Sequence, residues 1–207
     1  MATLLVLATL VAAGTDWYSR LYHLPRLELV TKPLTTVLVI ALALVADADS
    51  NLKAIAVVAL LLCLVGDIVL MPAINRFVVG LGAFLLGHLV FIVLFLAYGL
   101  GVWWMGGFAI GVVVLLVVTV GRRIVDAAAD HDAALRAPVF AYLMVISSMG
   151  VVGWATGRWM VVVGTTLFVV SDSILGWAKF VASEAWMSVT VMITYHGAIA
   201  LLALSLW

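Results

Sequence analysis

The sequence predicts an all-α integral membrane protein, a bundle of eight transmembrane helices joined by short loops. The prediction depends on three observations: 67% of the 207 residues are hydrophobic, only 10% are charged, and the mean hydropathy is +1.34. Soluble domains carry about 25% charged residues, so this chain lacks the polar surface that water requires. A helix needs ~20 mostly apolar residues to span a bilayer, which leaves room for about eight spans.

Eight apolar runs account for the predicted helices in order. They cover residues 2–18, 33–48, 52–71, 77–98, 103–120, 138–155, 159–180 and 186–207. The first run has no Lys or Arg before Arg20, so it lacks the positive start of a secretory signal and is assigned as a span. Only the connection 121–137 is long enough for a polar surface helix. Residues 1–207 are therefore expected to form a single membrane domain.

Positive residues in the connections predict the orientation of this domain. Eight of the ten Lys and Arg residues fall on one side: Arg20, Arg26, Lys32, Arg76, Arg122, Arg123, Arg136 and Lys179. Only Lys53 and Arg158 fall on the other side. Because positive residues concentrate in cytoplasmic loops, we expect both termini outside the cytoplasm, in a bacterial plasma membrane. The net charge of zero leaves no basic face, so nucleic acid is not expected as a partner.

Ionisable side chains inside the apolar spans are the candidates for function, since such groups are costly in a bilayer unless paired or hydrated. Asp67 interrupts the third span and Asp172 the seventh, both ~8–10 Å below the cytoplasmic ends of their helices by helical rise. Other polar side chains are expected around them: Lys32, His88, Tyr142, Ser171, Tyr195 and His196. Together they predict a polar pocket open to the cytoplasm, with Lys32 at its surface mouth and the histidines at its floor. The alternative for each residue is structural: an interhelical hydrogen bond, or a lysine that reaches the headgroups.

Two carboxylates in a low-dielectric pocket are a usable acid–base pair, because one can stay protonated while the other ionises. Such a pair suits cleavage through a cationic intermediate, as in acetal or vinyl-ether hydrolysis. Two other classes of protein fit the same residues. In a zinc-dependent hydrolase the metal ligands would be Asp67, His88, Asp172 and His196. In a proton-coupled transporter the same groups would carry protons.

Two patterns concern how the helices pack. Residues 66–70 (GDIVL) resemble residues 171–175 (SDSIL), and a histidine follows each Asp after 21 and 24 residues. This repeat suits two four-helix halves related by an axis along the membrane normal. The pairs Gly107/Gly111 and Gly153/Gly157 predict close approach of neighbouring helices.

Short motifs spread over nearly the whole chain carry a family resemblance. They are Lys32-Pro33-Leu34, Gly66-Asp67, Phe84 with His88, Ala141-Tyr142, Gly164 with residues 168–175 (FVVSDSIL) and Phe180, Val191-Met192, and Thr194-Tyr195. The chain resembles the YhhN family of integral membrane lysoplasmalogenases, and the Ser-Asp-Ser segment is the most specific part of the likeness. It departs from the family pattern in the eighth span, where His196 and Ile199 replace a Tyr and a Gln.

The resemblance implies an enzyme that hydrolyses the vinyl-ether bond of lysoplasmenyl-ethanolamine or lysoplasmenyl-choline. The products are a fatty aldehyde and a glycerophospho-ethanolamine or -choline, and the enzyme is expected to need no metal or cofactor. One of Asp67 and Asp172 would protonate the alkenyl chain, and the other would stabilise the oxocarbenium ion and direct water to it. Side chains expected to bind or orient the substrate are Lys32, His88, Tyr142, Ser171, Tyr195 and His196. In this hypothesis Lys32 holds the lipid phosphate.

Overall fold

The computed structural model describes all residues, 1–207, and confirms the predicted fold class. The chain is 85% helical without strands, and eight of its helices are long and apolar enough to cross a membrane. The helices are α1 (Ala2–Leu21), α2 (Pro25–Leu44), α3 (Ser50–Val69), α4 (Phe77–Tyr98), α5 (Trp103–Leu116), α6 (Arg122–His131), α7 (Arg136–Ala155), α8 (Trp159–Phe180) and α9 (Ala185–Leu204). The protein is therefore an integral, multi-pass membrane protein.

The second helix begins eight residues earlier than predicted, at Pro25 instead of residue 33. Proline suits the first position of a helix, where its missing N–H needs no partner, while Pro33 lies inside the helix without ending it. Arg26 and Lys32, expected in a loop, are consequently helical. The first turns of α2 carry polar residues, which a hydropathy pattern assigns to a loop. In the structure these residues pair with other helices, as Glu28 does with Arg20 of α1.

The fifth span continues beyond its predicted apolar run as one helical rod. A π-helical segment, Val117–Gly121, connects α5 to α6, so the polar helix expected within residues 121–137 forms as an extension of the span. π-Helical turns are wider than α-helical ones and occur often at functional sites. Here the segment packs on α7, where a Cβ added to Gly121 would meet Cδ2 of Leu143 at 2.6 Å.

Six helices form a closed ring, and three pack outside it. The ring runs α2, α3, α4, α7, α8, α9 and back to α2. Outside it, α1 packs against α2 and α9, α5 against α7, and α6 against α7 and α8. Its centre is aromatic, with Phe91, Phe95 and Phe168 fully buried. Large apolar side chains such as those of Trp103 and Leu115 face outward, where lipid would cover them.

The order of packing has a two-fold pattern. α1 packs on α2 as α5 packs on α7, and α3 packs on α4 as α8 packs on α9. Between the halves, α4 packs on α7 as α9 packs on α2. The internal repeat stays a prediction. Two four-helix halves related by an axis along the membrane normal would pack in this order.

The two glycine pairs have different outcomes. A Cβ added to Gly107 or Gly111 would meet nothing within 4 Å, so the prediction that this pair packs on a neighbouring helix is wrong. Gly153 does allow close approach, since its added Cβ would lie 2.6 Å from Cγ2 of Thr165 on α8. Gly157 follows the end of α7 with a φ of +68°, a conformation that favours glycine.

Candidate active site

Asp67 lies in the last turn of α3 and is fully buried. Its Oδ2 accepts hydrogen bonds from the hydroxyls of Thr36 on α2 and Tyr195 on α9, both at 2.7 Å. Nζ of Lys32, also on α2, lies 3.4 Å from Oδ1. Three helices thus converge on one carboxylate, which meets the requirement that a buried charge be paired and hydrogen-bonded. We call these four residues the Asp67 cluster.

Asp172 lies on α8, about 12 Å from the end of that helix by helical rise. Its Oδ2 accepts a hydrogen bond from the hydroxyl of Tyr142 on α7, and Nε2 of His88 on α4 lies 3.9 Å from the same oxygen. The imidazole of His88 packs edge-on against the rings of Tyr142 and Phe168, and neither of its nitrogens makes a hydrogen bond. Asp172, Tyr142 and His88 form the Asp172 cluster. No lysine or arginine lies within 4 Å of this carboxylate.

The two clusters are built in the same way from the two halves of the chain. Each Asp is on the third span of its half, and each accepts a hydrogen bond from the second span of that half. Each also faces a side chain from the fourth span of the other half: Tyr195 for Asp67, and His88 for Asp172. Both carboxylates are therefore positioned only when the two halves are docked.

A polar cavity of about 250 Å³ connects the two clusters, and Asp67, Asp172, Lys32 and Tyr195 all line it. It reaches the end of the bundle that carries the α3–α4 and α8–α9 loops. Residues nearer this end include Arg20, Glu28, Pro72, Ser183 and Ser188. The positive residues assign this end to the cytoplasm, and the opening of the pocket to that compartment stays a prediction.

A second, apolar cavity lies beside the first. Of its 22 lining residues 17 are hydrophobic, and they come from α4, α5, the π-helical segment and α6 to α8, among others. Both cavities share Leu70, Phe84, Asp172 and Leu175. Asp172 is the one ionisable residue of this shared wall, and the hydroxyl-bearing Tyr142 lines the apolar side. A carboxyl group thus stands between a polar chamber and an apolar one.

Of the other predicted site residues, Lys32 lies away from its predicted position, and Ser171 lines the polar cavity. Lys32 is 5% exposed and paired with Asp67, so its predicted position at the surface is wrong. The reason is the early start of α2, which places Lys32 two turns inside the helix. Ser171 lines the polar cavity while its hydroxyl donates to the carbonyl oxygen of Val191.

His196 does not line either cavity. Its Nδ1 accepts a hydrogen bond from Nε1 of Trp17 at 3.1 Å, and its buried Nε2 has no partner. The predicted position at the pocket floor is therefore wrong, because α9 turns Tyr195 toward Asp67 and the next residue toward α1. The proposed zinc ligands are accordingly separated, and no three His, Cys, Asp or Glu side chains lie close enough to hold one metal ion.

A polar network at the mouth of the polar cavity was not predicted from the sequence. Arg20 donates to Glu28 Oε1 from Nη2 at 2.7 Å and to Ser188 Oγ from Nη1 at 3.1 Å. Behind it, Asp16 is fully buried and accepts a hydrogen bond from Thr31 at 3.0 Å. The i,i+4 spacing of an acidic and a basic residue near the end of an apolar span was the available signal.

Fold and site together define a multi-pass membrane protein with two intramembrane carboxylates on one cavity. The model of the YhhN family matches residues 27–206, so the chain belongs to the YhhN family. The match includes both aspartate clusters and leaves α1 outside it. Searches of curated proteins and of solved structures found no match.

Proposed function

We propose that this protein hydrolyses the vinyl-ether bond of lysoplasmalogens, with Asp172 and Asp67 as its acid–base pair. Membership in the YhhN family supports a hydrolase of this kind. The observation that carries the proposal is the position of Asp172 on the wall shared by a polar and an apolar cavity. A lysophospholipid has the same division, since a polar headgroup and one apolar chain meet at the bond to be cleaved.

In the proposed complex the headgroup occupies the polar cavity, and the part of the alkenyl chain next to the ether enters the apolar one. The vinyl ether then lies beside Asp172, which carries the reacting proton. Asp172 suits this role because no lysine or arginine faces it. Asp67 faces the ammonium group of Lys32 and serves as the carboxylate. Opposite environments of this kind are how paired carboxyl groups take opposite roles.

The reaction begins when Asp172 transfers its proton to the alkenyl carbon remote from the ether oxygen. The double bond supplies the electron pair for the new C–H bond, which leaves an oxocarbenium ion at the carbon bound to oxygen. The negative charge of the carboxylates stabilises this cation. Water from the polar cavity adds to the cationic carbon and returns a proton to Asp172, giving a hemiacetal. Transfer of a proton to the glycerol oxygen breaks the C–O bond and releases a fatty aldehyde and a glycerophospho-alcohol.

Neighbouring side chains hold these groups in place. The Tyr142 hydroxyl orients Asp172 through its hydrogen bond to Oδ2, which leaves Oδ1 for the substrate. Thr36 and Tyr195 fix Asp67 in the same manner. Positioning of this sort is required because proton transfer needs the donor within hydrogen-bond reach of the accepting atom.

The test is aldehyde release by the protein purified in detergent. Lysoplasmenyl-ethanolamine should yield aldehyde, whereas the saturated alkyl-ether analogue should not, because only the vinyl ether can be protonated on carbon. Asp172→Asn should lower kcat at least a hundredfold, the usual contribution of a general acid, and Asp67→Asn should lower it as well. Asp130→Asn, at an exposed position of α6, is the matched control.

Full turnover by a folded Asp172→Asn protein would overturn the assignment of the acid. Aldehyde release that stops when chelator is added would favour the metal-dependent alternative. A proton-coupled transporter would release no aldehyde in detergent, where no gradient exists, so the absence of product from the wild-type protein would favour transport.

A further inference from the structure

We infer that Arg20 and Glu28 form a recognition site for a zwitterionic headgroup, with the lipid phosphate bound by Arg20 and its terminal ammonium by Glu28. The inference rests on the proposed function and deepens it, since it names a phosphoethanolamine headgroup as the preferred substrate. Both residues line the polar cavity that also contains the two aspartates. They stand nearer its open end, where the headgroup of a lipid with its ether at Asp172 would lie.

The site is built from three helices. Arg20 comes from α1, Glu28 from α2 and Ser188 from α9, and the guanidinium donates to both of its partners. The side chains of Arg20 and Glu28 are 14% and 15% exposed, so both keep some access from the cavity. A guanidinium can donate five hydrogen bonds and matches the geometry of a phosphate.

The Arg20 side chain is ion-paired on two sides. Its Nε lies 3.5 Å from Oδ2 of Asp16, with both atoms buried and no hydrogen bond between them, and its Nη2 donates to Glu28 at 2.7 Å. A zwitterion would replace the single Arg20–Glu28 pair by two pairs, one with its phosphate and one with its ammonium, and the number of satisfied charges would rise.

The charges around the cavity favour a headgroup that includes a cation. Arg20 and Lys32 are its two cations, and each is already paired with a lining carboxylate, Glu28 or Asp67. A headgroup with phosphate alone would bring uncompensated negative charge beside these carboxylates, and like charges at close range are strongly unfavourable. The ammonium of a zwitterionic headgroup compensates its own phosphate.

The side chains at the mouth also distinguish a primary from a quaternary ammonium. Glu28, Ser183 and Ser188 offer oxygen acceptors to the N–H groups of ethanolamine. A quaternary ammonium has no N–H groups and is instead recognised by aromatic cages. The aromatic residues of this cavity, Phe84 and Tyr195, lie at its deep end beside Asp67. We therefore expect ethanolamine to be preferred over choline.

The experiment compares four substrates that share one alkenyl chain: the ethanolamine, choline and phosphate-monoester lipids, and uncharged 1-alkenylglycerol. Wild-type kcat/KM should fall in the order ethanolamine, choline, phosphate monoester. Glu28→Gln should lower the ratio of kcat/KM for the ethanolamine lipid to that for the choline lipid about tenfold, because one charged hydrogen bond is lost. Arg20→Gln should raise KM about tenfold for all three phospholipids and should affect 1-alkenylglycerol far less.

Matched controls are Arg26→Gln and Glu184→Gln, at exposed positions on the same end of the bundle that do not line the cavity. An unchanged order of substrates in Glu28→Gln, or equal losses for charged and uncharged substrates in Arg20→Gln, would overturn the recognition site while leaving the aspartate chemistry intact.

If the wild-type protein released no aldehyde from any of the four lipids, the proposed function would fail, and binding would decide on the recognition site. Calorimetry with glycerophosphoethanolamine and with glycerophosphate then provides the measurement. Tighter binding of the first compound, lost in Glu28→Gln, would support the site, and equal binding or none would overturn it.

Discussion

Asp67 and Asp172 show how neighbouring side chains give one residue type two different environments. Asp67 is 1% exposed and receives two hydroxyl donors and an ammonium group, so its bonding capacity is largely used within the protein. Asp172 is 11% exposed, has one hydroxyl donor and borders both cavities. This difference in environment is the reason for proposing Asp172, and not Asp67, as the acid.

Tyr142→Phe removes the hydroxyl donor of Asp172 while the ring stays packed against His88. We expect kcat for the vinyl-ether lipid to fall about tenfold to a hundredfold. The hydrogen bond stabilises the carboxylate that forms as Asp172 gives up its proton, and a hydrogen bond to a charged group contributes roughly 1.5–3 kcal/mol. Steady-state kinetics in detergent provide the measurement. Tyr98→Phe is the control, since that phenol hydrogen-bonds Ser205 at the other end of the bundle. An unchanged kcat in folded Tyr142→Phe would contradict the role.

Lys32→Met leaves Asp67 buried without its cation. Breaking a buried pair on one side should lower the free energy of unfolding by about 3 kcal/mol, whereas removing both partners should cost much less. Denaturant unfolding of Lys32→Met, Asp67→Asn and the double variant measures the coupling, with Lys53→Met as the control on the opposite face. If Lys32→Met lowered the free energy of unfolding equally in the wild-type and Asp67→Asn proteins, Lys32 and Asp67 would not be coupled.

At the scale of the elements, two junctions control the shape of the site. The early start of α2 carries Lys32 and Thr36 to the level of Asp67. The close contact of α7 with α8 sets the distance between Tyr142 and Asp172, and Gly153 lies in that contact against Thr165. Helices approach closely where small residues meet, so this glycine determines how near the two elements lie.

Gly153→Val should force α7 and α8 apart, because the space beside it is filled by Thr165. Overpacking of this kind costs about 2 kcal/mol, which corresponds to a fall of roughly 5 °C in Tm for a chain of this size. Gly107→Val is the matched control, since nothing lies within 4 Å of its added Cβ. Thermal unfolding followed by circular dichroism compares the two, and equal Tm values would contradict the packing.

At the scale of the whole molecule, the bundle places its polar site at one end and its apolar surface around the sides. Each aspartate is held by residues of both four-helix halves, so the site depends on the complete ring. The α1 helix, which lies outside the family match, adds Arg20 to the cavity mouth. The mouth of the polar cavity thus includes one side chain from a helix that contributes none to the aspartate clusters.

The orientation of this molecule is predicted by its positive residues. Arg20 and Lys32 are ion-paired inside the bundle, yet six positive residues remain on that side against two on the other. An alkaline phosphatase fused after Trp207 should therefore be active in bacteria, and green fluorescent protein fused there should stay dark. The reverse pattern would place both termini in the cytoplasm and the mouth of the polar cavity on the outer side.

The sequence by itself determined the number of spans, the all-helical class and the residue types able to do chemistry in the bilayer. These follow from local properties, since a run of ~20 apolar residues must form a helix in lipid and an ionisable residue within it is conspicuous. Only the tertiary structure decided which face of each helix points inward. In lipid the outward face is as apolar as the core, so hydrophobic periodicity does not reveal the rotation of a helix. For that reason Lys32 could be named from the sequence but its pairing with Asp67 could not, and His196 was expected beside the aspartates although it bonds Trp17.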